Sequence, residues 1–125
     1  MRDRIDADAW QAALLADLAH EAEKTGRRPL RSIFFGGGTP SLMPPRIAAS
    51  LIEAAERHWG FSNDIEITLE ANPNSVEAAR FGDLAAAGIN RVSLGLQALD
   101  NEALAFLGRA HDVDEGLGAL DTARR

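Results

Sequence analysis

The chain has 125 residues, enough for one domain with a core, and nearly half of them are apolar, which separates it from disordered chains. Its formal net charge of -6, with the basic residues scattered, argues against nucleic acid or an anionic membrane as partner. There is no cysteine, which excludes disulfides, thiolate metal ligands and cysteine nucleophiles among these residues. The start, Met1 to Asp6, lacks the apolar core of a signal peptide, and no apolar run reaches the length of a membrane span. A soluble cytoplasmic protein is therefore expected.

Asp6 or Asp8 is placed to cap a first helix from Ala9 to Lys24, with Trp10, Leu14 and Leu18 on one face and Gly26 as its stop. Arg27-Arg28 reads as a solvated turn. Arg31–Phe35 reads as a buried strand that ends in Gly36-Gly37-Gly38, followed by Thr39-Pro40. Consecutive glycines neither continue a strand nor start a helix cheaply, but they let another group approach the backbone closely. Pro44 and Pro45 suit the first turn of a second helix, whose stripe is Ile47, Leu51 and Ala55 and whose stop is Gly60. His58 lies near that stripe as a core or rim residue.

Ile65–Asn72 alternates strictly and reads as a second strand, ended by Pro73. Asn74 with Glu77 forms a capping-box pattern for a third helix, with Val76, Leu84 and Ala85 on its apolar side and Gly88 at its end. Arg91–Gln97 alternates again. Asp100 caps a short helix through Leu104 and Leu107 to Gly108, and Asp112 with Glu115 opens a last helix to Arg125. Strands alternating with helices imply βαβ units and a parallel sheet.

Alternate residues of a strand face opposite ways, so parity sorts the two faces of this sheet. Ile65, Ile67, Leu69 and Ala71, with Val92, Leu94 and Leu96, must meet the helices. Glu66, Thr68, Glu70 and Asn72, with Arg91, Ser93, Gly95 and Gln97, line the other side. A doubly wound sheet buries both faces and needs apolar residues on each. One apolar and one polar face instead suggest a barrel wall with a wet or ligand-filled interior. Ligands of α/β sheets lie beyond the C-terminal strand ends. Three strand ends here carry Gly36–Thr39, then Glu70 and Asn72, then Gln97. Glycine backbone and Thr39 suit a carboxylate or ammonium; Glu70 suits an ammonium or hydroxyl; Gln97 suits both edges of a polar group. Arg109, in Leu-Gly-Arg-Ala-His, either reaches an anionic ligand at the mouth or serves as a helix C-terminal cation. His20, His58 and His111 form no metal-ligand pattern, and His111 has no paired acid or nucleophile. Ser41 has no nucleophile elbow. No G-x-G-x-x-G and no Gly-Lys-Ser/Thr occurs.

Four motifs in register carry a resemblance. Phe34-Phe35-Gly36-Gly37-Gly38-Thr39-Pro40-Ser41-Leu42, Leu69-Glu70-Ala71-Asn72-Pro73, Asn90-Arg91-Val92-Ser93-Leu94-Gly95-Leu96-Gln97 and Leu107-Gly108-Arg109-Ala110-His111 resemble radical S-adenosylmethionine (SAM) proteins. Among them they are most similar to the oxygen-independent coproporphyrinogen III oxidase family, and within it to the HemW haem-chaperone branch. The resemblance implies a partial parallel (β/α) barrel, open and incomplete, that binds SAM and, in the whole protein, a 4Fe-4S cluster. It implies that Gly37, Gly38 and Thr39 contact the methionine end of SAM and that Glu70, Gln97 and Arg109 also hold it. It implies haem or porphyrin as a partner of the whole protein. The family's cluster sits on a Cys-x-x-x-Cys-x-x-Cys loop after the first strand, and no cysteine is present here. A full (β/α)₈ barrel takes about 250 residues. Residues 1–125 are therefore expected to be an internal part of a longer core domain, non-catalytic alone, with sheet edges open to self-association. The rival readings are a stand-alone α/β module holding phosphate or nucleotide at Gly36–Gly38, and a scaffold with no ligand.

Overall fold

A computed structural model describes residues 6–125; the reading of the first five residues lies outside them. The chain runs α1 (Ala7–Thr25), β1 (Leu30–Phe35), a 3-10 turn (Pro40–Leu42), α2 (Pro45–Trp59), β2 (Phe61–Ala71), α3 (Ser75–Ala78), α4 (Phe81–Ala87), β3 (Arg91–Leu94), α5 (Asn101–Phe106) and α6 (Val113–Ala123). The strands form one parallel sheet in the order β1-β2-β3, so β1 and β3 are its edges. This is the open, partial parallel sheet that the alternation of strands and helices led us to expect.

The parity reading holds rung by rung. Ile67, Leu69 and Ala71 of β2 are buried in one cluster with Ile52 of α2, Phe81 and Leu84 of α4 and Ala119 of α6. Ile33, Phe35, Ile65, Val92 and Leu94 pack against the same cluster. On the opposite face, Phe34, Thr68 and Arg91 lie side by side across the three strands, and Glu70 lies beside Ser93. That polar wall partly covers itself. Thr68 is only 1% exposed; its hydroxyl donates to Glu66 at 3.1 Å, and Arg91 reaches both at 3.4 Å. α2 carries the expected stripe, with Ile47, Leu51 and Ala55 buried, Pro45 in its first turn and Gly60 at its end. His58 sits half-buried at the rim, edge-on to Trp59.

Four expectations change. β1 is an edge strand with no buried residue, not the buried strand expected, and Phe34 is 59% exposed. α1 is capped by Asp6, which accepts from the Ala9 N–H at 3.0 Å. Yet none of its residues is buried, and Trp10 is 60% exposed. Its stripe is only partly covered; polar ties such as Gln11 to Ser50 at 2.8 Å and Trp59 Nε1 to Thr25 at 2.8 Å help hold it. The third helix is split into α3 and α4. Asn74 caps α3, but the chain turns at Ala79-Arg80, where Arg80 donates to the Met43 carbonyl at 3.0 Å. The turn lets Phe81 and Leu84 reach the core, while Val76 is 71% exposed and Ala85 is exposed, contrary to the single-stripe reading. The strands also shift. β2 starts at Phe61, across a register slip between Leu30 and Ser32. β3 ends at Leu94 because its neighbour ends at Ala71, whose carbonyl takes a last bond from the Gly95 N–H at 3.1 Å.

Leu69 is fully buried on the central strand, at 0% exposure. Leu69→Ala should lower the unfolding free energy by about 2–5 kcal/mol in urea titration. Val76→Ala, at an exposed position, should change it by less than about 0.5 kcal/mol. Equal effects would contradict this assignment of the core.

Candidate functional site

The site begins where β1 stops. Gly37 has φ +123, a conformation in which a side chain is strained, and its N–H points to the Glu70 carboxylate, Oε2, at 3.3 Å. A Cβ on Gly36 would stand 2.9 Å from the Phe34 ring and 3.4 Å from Glu70 Oε2. Glycine there lets ring and carboxylate lie against the backbone. Nothing stands within 4 Å of a Cβ built on Gly37 or Gly38, so that flank of the loop is open. Thr39 precedes the 3-10 turn, but its hydroxyl makes no capping bond.

The third strand end arrives beside the first two. The chain leaves Gly95 and turns sharply at Gln97, which has φ +67. Arg109 lies beyond α5 and folds back, its Nη2 donating to the Gly95 carbonyl at 2.8 Å and to Asn72 Oδ1 at 3.2 Å. A Cβ on Gly95 would stand 3.4 Å from Arg109 Nη2 and 3.5 Å from Gln97 Nε2, so both side-chain ends converge over this glycine. Together these residues enclose a cleft of about 330 Å³, lined by Gly38, Thr39, Glu70, Asn72, Gln97 and Arg109 among others. That is at the lower end of the range for small-molecule sites. Of the strand-end residues singled out in the sequence, Gly36 and Gly37 are not in the lining; the Gly37 N–H is turned to Glu70 instead.

The charges of the cleft are uncompensated. Among the described residues neither Glu70 nor Arg109 forms an ion pair. Arg109 Nε is buried without a partner. One carboxylate and one guanidinium, each hydrogen-bonded to neutral groups but without an ion-pair partner, thus line the same small space. Such a cleft suits a molecule carrying both an ammonium and a carboxylate, because each charge finds its opposite. A phosphate at Gly36–Gly38 fits less well, since Glu70 already takes the Gly37 N–H and repels an anion.

The sequence reading missed the group that holds the site together. Glu77 is 4% exposed. Its Oε1 accepts from the Asn72 N–H at 3.0 Å and from the Ser41 hydroxyl, and its Oε2 accepts from the Asn74 carboxamide at 2.6 Å. Its own N–H donates to Asn74 Oδ1 at 2.8 Å, which is the cap that the Asn74–Glu77 spacing announced. No sequence signal tied Ser41 to it. Burial pushes the Glu77 carboxyl up, but hydrogen bonds from Ser41, the Asn72 N–H, Asn74 and the Asn72 side chain outweigh this and hold it below the usual carboxylate range. His111, given no role above, is also buried, at 5% exposure, with its Nε2 3.2 Å from the Leu96 carbonyl.

A depressed carboxyl stabilises the fold above its unfolded pKa, about 4.3, and loses that contribution as pH falls through the lower folded value. Glu77→Gln should cost on the order of 3 kcal/mol at pH 7, measured by urea unfolding, because it replaces charge-assisted bonds and turns a donor toward donors. The variant should also show a shallower loss of stability below pH 4.3 than the parent chain. A cost under about 1 kcal/mol would show that the three bonds are dispensable.

Comparison with known proteins bears on what the cleft holds. The model of the radical SAM superfamily matches residues 6–125. The chain belongs to this superfamily. It is 44% identical over 121 residues to radical S-adenosyl methionine domain-containing protein 1, mitochondrial, of Bos taurus, covering 97% of this chain and 27% of that protein. It is 43% identical to heme chaperone HemW of Haemophilus influenzae, covering 89% and 29%, and 37% identical to that of Escherichia coli, covering 98% and 32%. The structure of coproporphyrinogen III oxidase (HemN) of Escherichia coli, described as a radical SAM enzyme, superposes with a TM-score of 0.81 at 28% identity, over 99% of this chain and 29% of that one. The chain thus spans about a third or less of the length of these relatives. The α/β sheet seen here is that part of the radical SAM fold.

The two groups that the superfamily implies fare differently against the residues present. SAM suits the cleft, with its orphaned Arg109 Nε, its unpaired Glu70 and the open flank of Gly37-Gly38. An iron–sulfur cluster does not suit this chain, which has no thiolate to offer. Among the described residues no group of three or more His, Asp or Glu is gathered for a metal either. No helix among the described residues is long and apolar enough to cross a membrane.

Proposed function

We propose that residues 1–125 form part of the core domain of a HemW-like radical SAM protein and supply the wall that holds SAM. The observation that carries this is the pairing of an unmatched carboxylate, Glu70, with an unmatched guanidinium, Arg109, across one small cleft. SAM carries an ammonium and a carboxylate on one carbon and hydroxyls on its ribose. Arg109 faces the carboxylate. Glu70 accepts from the ammonium or a ribose hydroxyl. Gln97 and Thr39 hold the remaining polar edges, and Gly37-Gly38 lets the methionine end lie close to the backbone.

When bound, SAM supplies a 5′-deoxyadenosyl group for radical chemistry once an electron reaches it. The electron source of the superfamily is a 4Fe-4S cluster, whose ligands must come from outside these residues. By itself the chain therefore binds and orients without reacting. The names of the relatives point to two settings for the whole protein: haem delivery and porphyrinogen oxidation. The closeness of the four motifs to HemW favours a haem-chaperone-like parent, with haem or porphyrin as its partner. The free edges of β1 and β3 also make self-association an expected property of this chain.

Isothermal titration with SAM tests the reading. Binding should be measurable, and Glu70→Gln and Arg109→Ala should each weaken it about tenfold or more, or 1.4 kcal/mol. Inorganic phosphate and ATP should give no heat. Binding of phosphate or ATP in place of SAM would favour the stand-alone phosphate module, and silence from all of them would favour a scaffold.

A further inference from the structure

We propose that His111 is a positioning residue for the Gln97 side of the cleft. It acts by holding the turn that swings Gln97 inward. The backbone at Gln97 is unusual. It is the one non-glycine residue with positive φ among the described residues, at +67. The Ala98 N–H closes back on the Leu96 carbonyl at 2.8 Å, which makes a three-residue turn with Gln97 at its apex. Turns of this hand at a residue with a side chain are rare and strained. They persist only where the surroundings over-determine them.

The surroundings here are specific. The Leu96 carbonyl that closes the turn also meets His111 Nε2 at 3.2 Å. A carbonyl oxygen only accepts, so Nε2 carries the proton and donates. Gly116, in the first turn of α6, makes room for this arrangement. A Cβ there would stand 2.8 Å from the Leu96 side chain and 3.5 Å from the His111 ring. Two residues upstream of His111, Arg109 donates to the Gly95 carbonyl. The Leu-Gly-Arg-Ala-His segment thus grips the strand end at two successive carbonyls, Gly95 and Leu96. One grip delivers the Arg109 guanidinium to the cleft. The other fixes the apex from which the Gln97 carboxamide reaches it. His111 is buried and does not line the cleft. Its effect on binding must pass through Gln97.

The effect on affinity rests on the reading of the cleft as a SAM site; the effect on the turn does not. Nitrogen-15 NMR of the full chain near neutral pH should show His111 protonated at Nε2. A bare Nε2 overturns the proposal without any variant. His111→Leu should speed hydrogen exchange of the Ala98 amide at least tenfold and move the Gln97 side-chain signals, and His111→Gln, which keeps a donor, should restore both in part. Unchanged Ala98 exchange in His111→Leu overturns it. If the parent chain binds SAM, His111→Leu should weaken binding about tenfold. In a Gln97→Ala background it should have little further effect, because the two act as one unit. An equal loss in both backgrounds reveals a general structural role and overturns the positioning claim. If the parent binds no SAM, the functional reading fails, while the NMR results still decide the turn.

Discussion

A single carboxylate sets the geometry on which everything at the strand ends depends. The segments after β1 and β2 are not hydrogen-bonded to each other as strands, so some other group must fix their separation. Glu77 does so from the first turn of α3, taking donors from Ser41 on one segment and from Asn72 on the other, with Asn74 completing the set. A buried charge is costly to desolvate unless its oxygens are satisfied. That cost is also why the arrangement is specific: a loop that drifted would leave the carboxylate short of a partner. With Ser41 and Asn72 tied to one carboxylate, Thr39 and Glu70, two residues before each, are carried to the same opening.

Around this latch the sheet separates two environments. The helix side is a continuous apolar cluster. The other side is a wall on which Arg91 meets Glu66 and Thr68, while Glu70 and Arg109 near the strand ends form no ion pair among the described residues. The cleft keeps one of each sign, Glu70 and Arg109. A ligand of both signs that enters the cleft thus gains ion pairs that the protein does not already own.

Much of this was written in the sequence because it rests on local rules. Period-two alternation sorted both faces of β2 and β3 correctly, since one face must be apolar for any sheet to bury. The caps at Asn74, Asp100 and Asp112 were legible because each needs only a short side chain three residues ahead of an N–H. What was not legible depends on contacts distant in the chain. The Ser41–Glu77 bond and the break between α3 and α4 follow from where the core lies, which no local pattern records. α1 shows the converse failure. Its stripe of Trp10, Leu14 and Leu18 was read correctly as apolar, but nothing in the sequence said how little of the described structure covers it. His111 looked inert because no acid or nucleophile is paired with it at a telling spacing; its partner is a backbone carbonyl, which sequence does not display.

The central claim is that three neighbouring strand ends form one binding surface for one small molecule that carries both an ammonium and a carboxylate. The most direct measurement is chemical-shift mapping of the labelled chain as SAM is added. The account predicts that Gly38, Thr39, Ser93, Gly95, Gln97 and Arg109 shift together and saturate on one curve. Shifts confined to a single loop, or centred away from the strand ends on Leu14, Leu18, Phe34 and Trp59, would contradict it.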